Sequence, residues 1–118
     1  MLLRQASYKV TMPTSFEDSF FKDEIVSFID KQISDWKRTN GSIPFSALSL
    51  FGKSKFKDWS DIPLDRIYQA NLKRYNGDSI KAQRQSGIDV GHLLKWRCFQ
   101  YPANILVQHG YFTSYQFL

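Results

Sequence analysis

Residues Ala6–Met12 alternate weakly between polar and apolar and contain β-formers, which predicts a strand ended by Pro13. A helical period follows. Phe21, Ile25, Phe28, Ile29, Ile33 and Trp36 recur at helical spacing, giving one apolar face and one charged face. Ser15 or Ser19 can cap this helix, and acidic residues fill its first turns, where the macrodipole favours them. Asn40-Gly41 ends it with left-handed backbone. Pro44 then opens a short apolar piece, Phe45 to Phe51, of one or two helical turns closed by Gly52, and Lys53–Lys57 reads as a basic loop. Asp61 is placed as an N-cap with Pro63 in the first turn. The helix Leu64–Tyr75 turns Leu64, Ile67, Tyr68, Leu72 and Tyr75 inward, and Asn76-Gly77 stops it.

Beyond that point the pattern divides. Asp78 or Ser79 caps a short helix running to about Gln85, Ser86-Gly87 reads as a turn, and Asp89 caps a second helix from Val90 to about Gln100. Tyr101-Pro102 breaks it. The tail from Asn104 to Leu118 is apolar and β-rich, with Ile105–Val107 and Tyr111–Phe117 flanking His109-Gly110. This gives either a hairpin about a glycine turn, or a short helix from Pro102 capped by Gly110 and followed by one strand. The expected architecture is α+β, about four helices packed on a small sheet formed from N- and C-terminal strands.

Composition adds size and compartment. The 118 residues suit one domain, 1–118, and 42% apolar with 16% aromatic residues supply a core built largely from rings. One cysteine, Cys98, allows no internal disulfide, which fits a reducing, cytoplasmic setting. Two histidines and one cysteine fall short of a structural zinc site, so neither metal nor cofactor is expected. No apolar run approaches a signal peptide or a membrane span.

Charge supplies the functional lead. The net charge is +5, but residues 1–35 are net acidic and residues 98–118 carry no Asp, Glu, Lys or Arg. The basic excess lies between Trp36 and Arg97, and clustered positive charge attracts polyanions. Within this stretch, Lys81–Arg97 resembles a helix-turn-helix, with Gly87, Ile88, Leu93 and Trp96 at matching spacings. The resemblance implies a second helix entering a DNA major groove, with Asp89, Gly91, His92 and Lys95 outward. The candidate nucleic-acid-binding residues are therefore Lys81, Arg84, His92, Lys95 and Arg97, helped by Lys73 and Arg74.

Three other patterns carry chemistry. Asp89-Val90-Gly91-His92-Leu93 followed by Asn104-Ile105-Leu106-Val107-Gln108 looks like pieces of the non-specific DNA/RNA endonucleases with a ββα-metal site. That likeness implies His92 as general base, although Val90 stands where the family has Arg and no Asn follows Gln108 to bind metal. Ala47 to Ser54 meets the loose phosphate-loop pattern, yet its Leu48–Phe51 interior suits burial, so a helix end is expected there. The uncharged C-terminal strand suggests the alternative of a protein-interaction domain, or a homo-oligomer paired edge to edge.

Overall fold

The computed structural model describes residues 2–3, 22–51, 59, 61–110 and 113–118. Among the described residues, four helices and a three-stranded antiparallel sheet make the α+β fold: β1 (Leu2–Leu3), α1 (Lys22–Asn40), α2 (Ala47–Phe51), α3 (Asp65–Arg74), α4 (Ser79–Gln100), β2 (Ile105–Gln108) and β3 (Ser114–Phe117). The strand order is β1-β2-β3. An N-terminal strand thus joins the C-terminal hairpin, but through Leu2↔Val107 and Leu3↔Leu106. The strand predicted at Ala6–Met12 lies outside the described residues.

α1 follows its sequence period. Ile25, Ile29 and Ile33 are fully buried, and Phe28 and Trp36 pack beside them. Asp23 and Glu24 occupy the first turn and Lys37 and Arg38 the last, each complementing the helix dipole. Gly41, at φ +59°, donates its N–H to the Lys37 carbonyl at 2.9 Å and closes the helix. The proposed caps Ser15 and Ser19 and the residue Phe21 lie outside the described residues.

The chain then crosses to the sheet. Trp36 Nε1 donates to the Ile43 carbonyl at 2.8 Å, and Phe45 exchanges two 2.8 Å backbone bonds with Tyr115. The Phe45 ring centres an aromatic cluster, with Trp36 at 5.8 Å, Tyr115 at 5.5 Å and Phe117 at 5.7 Å. Such ring pairs add to area burial through their geometry, each by about 0.5–1.5 kcal/mol. Ser46 and Ser49 cap α2 reciprocally: Ser46 Oγ accepts from the Ser49 N–H, and Ser49 Oγ accepts from the Ser46 N–H. Phe51 is buried, so the phosphate-loop pattern begins in a packed helical turn; Gly52–Ser54 lie outside the described residues.

α3 starts later than predicted. Asp61 does not cap it: residues 61–64 form turns, and the helix begins at Asp65 with Leu64 in the cap position. Ile62 donates back to the Trp59 carbonyl, which commits this stretch to a turn below the buried Trp59. The helix ends as expected. Asn76 (φ +54°) donates to Lys73, and Gly77 (φ +85°) donates to Leu72 at 2.7 Å. This paired pattern needs a left-handed residue, which Asn tolerates.

The break predicted at Ser86-Gly87 is absent. α4 runs unbroken through 22 residues, capped by Asp78, whose Oδ1 accepts from the Lys81 N–H at 3.2 Å. The reason is a buried stripe that is partly polar: Ala82, Ser86, Asp89, Val90, Leu93, Leu94 and Cys98 hold helical spacing across the supposed turn. Asn71 of α3, 1% exposed, donates to Ser86 Oγ and to Asp89 Oδ2, both at 3.0 Å. Gln85 donates to Asp89 Oδ1 at 2.9 Å. Asp89, expected as an outward cap, is instead a buried, hydrogen-bonded carboxylate within the α3–α4 interface.

At the far end of α4, Arg97 makes a forked pair with Asp30 of α1, through Nε at 2.8 Å and Nη2 at 2.9 Å. The tail resolves its two readings as a hairpin, with Ile105↔Phe117 and Gln108↔Ser114 at its ends. β3 begins at Ser114; Tyr111 and Phe112 lie outside the described residues.

Candidate functional site

On a straight helix each residue advances by about 100°. On α4, Lys81, Arg84, Ile88, His92 and Lys95 therefore fall within one arc of roughly 80°, opposite Val90 and Ser86 of the buried stripe. Lys81, Arg84, Ile88 and His92 are exposed and Lys95 is half-buried. The sole carboxylate of α4, Asp89, lies off this arc and inside the interface. Among the described residues, no carboxylate forms an ion pair with Lys81 or Arg84. The stripe from Lys81 to Lys95 runs about 21 Å along the axis.

The other candidates do not join it. Arg97 lies about 180° round from the stripe's centre and is committed to Asp30, with its guanidinium also 4.7 Å from the Trp96 ring centre. Its work is to tie α4 to α1. Lys73 follows the inward-facing Asn71 by two residues, about 200° of helix, and so points away from α4. Arg74 lies over the ring of its neighbour Tyr75 at 5.2 Å, beside the α3–α4 turn. Lys53, Lys55 and Lys57 lie outside the described residues.

One flank of the stripe is hollow. A groove of about 620 Å³ runs between α4 and a wall formed by Ser46, Ala47, Thr113 and Tyr115. The Phe45–Tyr115 bridge holds both halves of that wall together. Arg84, His92 and Lys95 line the groove, with Leu94 and Ile88 as its apolar part. Gly87 and Gly91, one turn apart, leave the helix backbone bare there. Among the described residues a Cβ at Gly91 would meet nothing within 4 Å, so their packing does not demand the glycine. Glycine inside a helix costs about 1 kcal/mol relative to alanine. Sequence reasoning placed Gly91 only as an outward residue of a recognition helix and had no signal for the wall, which comes from residues 40 and more positions away in sequence on one side.

The wall also decides against the helix-turn-helix mode. An α-helix with its side chains is about 10–12 Å across and fills a major groove about 12 Å wide, so both flanks must stand clear. α4 has neither the turn predicted at Ser86-Gly87 nor the free flank. The nuclease likeness loses its support in the same element: His92 sits mid-helix, where that family places a strand before its catalytic His. Among the described residues no three His, Cys, Asp or Glu side chains gather as a metal-binding group. None of the described helices is long and apolar enough to cross a membrane.

Compared with family models, curated proteins and solved structures, the chain matches none of them.

Proposed function

We propose that this chain is a non-enzymatic nucleic-acid-binding module, working in the cytoplasm, whose contact surface is the outer face of α4. The observation that carries the reading is the alignment of Lys81, Arg84, His92 and Lys95 on one arc, the first three exposed and Lys95 half-buried, on a helix that keeps its only carboxylate buried on another side. A row of cations about 21 Å long matches a polyanion better than a single small anion. The buried Cys98, with no second cysteine in the chain, supports a reducing compartment.

The rival reading, a protein-interaction domain using the C-terminal strand, has less support. β2 occupies one edge of β3, and Phe45 takes both outward hydrogen bonds of Tyr115 on the other. An incoming strand would have to displace that bridge.

The test compares one arginine and one lysine by face. Arg84→Ala should weaken binding to a mixed oligonucleotide pool at low salt by roughly five- to tenfold, while Lys73→Ala, on the far side of α3, leaves it nearly unchanged. Equal losses from both, or no binding at low salt, would overturn the reading.

A further inference from the structure

We infer that the groove beside α4 receives one unpaired base of a single strand, set against Ile88 and the bare backbone at Gly91, with phosphates of the neighbouring nucleotides on either side near Arg84 and Lys95. The inference rests on the nucleic-acid reading above and narrows it to single-stranded substrates.

Shape is the first support. The volume of about 620 Å³ lies within the range of roughly 300–1,000 Å³ typical of sites that enclose small organic groups. A duplex brings a rigid cylinder that the Ser46–Thr113 wall keeps away from the floor of the groove. A single strand is thin and can turn one base inward.

Chemistry is the second. Ile88 is 47% exposed in the middle of a cationic row, where an apolar side chain gains nothing from phosphate or water. A partner that satisfies the whole groove must present an apolar face between negative charges. Arg84 and Lys95 stand three turns apart, about 16 Å along the axis, so they flank the recess instead of converging on one phosphate. A single strand that turns one base inward, with phosphates of the next nucleotides on either side, has that layout, whereas a paired base hides its faces in the stack.

Gly91 is the third. With open space where its Cβ would be, its absent side chain widens the groove and serves no internal contact. The recess is therefore kept open at a position where alanine would make a better helix.

The experiment is fluorescence anisotropy with a labelled oligothymidylate of about twelve nucleotides, its duplex with oligoadenylate, and polyglutamate as competitor. Wild-type protein should bind the single strand about tenfold or more tighter than the duplex. Gly91→Leu fills the groove without altering charge, and should weaken single-strand binding about tenfold while leaving duplex binding intact and without lowering the melting temperature. Gly91→Ala, a smaller intrusion, should weaken it far less. If the duplex binds as tightly, or Gly91→Leu binds like wild type, the single-strand inference fails while the α4 surface stands. Displacement of the oligonucleotide by polyglutamate at equal charge also overturns it, in favour of an acidic peptide. Failure of both nucleic acids to bind wild-type protein at low salt removes the inference together with the reading beneath it.

Discussion

The unbroken course of α4 depends on the polar contacts that hold it to α3, and Asn71→Ala tests that dependence. Asn71 is 1% exposed and its amide serves two acceptors, Ser86 Oγ and Asp89 Oδ2. A buried hydrogen bond between neutral groups contributes about 0.5–1.5 kcal/mol, and one to a charged group about 1.5–3 kcal/mol. Truncation removes both and leaves Asp89 Oδ2, in a residue only 4% exposed, without its Asn71 donor. The expected loss is about 3 kcal/mol, a large share of a stability of roughly 5–15 kcal/mol. Urea unfolding followed by circular dichroism measures it. Asp89→Ala alone should also destabilise, and the double variant should lose less than the sum, with a coupling of about 1 kcal/mol or more. A loss under about 0.5 kcal/mol for Asn71→Ala, or strict additivity, would refute the claim that this network fixes α4 through residues 86–89.

Three more outcomes follow from the same geometry. Gly91→Ala should stabilise the fold by about 1 kcal/mol, raising the melting temperature by roughly 4 °C, because its methyl group enters open space on a helical backbone. Arg97→Ala should cost about 1–2 kcal/mol in chemical denaturation, since it breaks the forked pair with Asp30, yet leave nucleic-acid affinity unchanged below the melting transition. Cys98 is 1% exposed, and burial, reinforced by the nearby Asp30 charge, pushes its thiol well above the ordinary range despite the opposing pull of Arg97. It should resist alkylation in the native protein from neutral to mildly alkaline pH and react once denaturant unfolds the chain; rapid native labelling, read by mass, would contradict its placement.

The apolar periods and the chain-reversing residues were legible. Ile25, Ile29 and Ile33 declared the buried face of α1, and Asn76-Gly77 declared the end of α3, because each signal is local and needs no partner to be understood. Lys81, Arg84, His92 and Lys95 were named from the sequence on two helices split by a turn, together with Lys73, Arg74 and Arg97; only the unbroken course of α4 brings the four onto one arc. The errors share one cause. Ser86 and Asp89 were read as turn and cap because polar residues usually seek solvent there, yet Asn71, fifteen and eighteen residues earlier, gives them buried partners. Arg97 looked like another contact for a polyanion until Asp30, sixty-seven residues away, claimed it. The groove was invisible for the same reason. Its wall is assembled by a two-bond bridge between Phe45 and Tyr115, a pairing that no local pattern announces.

The central claim is that the outward cations of α4 grip a nucleic-acid backbone. Its most direct measurement is the salt dependence of oligonucleotide binding by wild type and by a Lys81→Ala/Arg84→Ala variant, both confirmed as folded. Each phosphate contact contributes about 0.7 to the slope of log affinity against log salt for a single strand, so the double variant should bind more weakly with a slope shallower by about 1.4. A variant that keeps the wild-type affinity and slope would contradict the account.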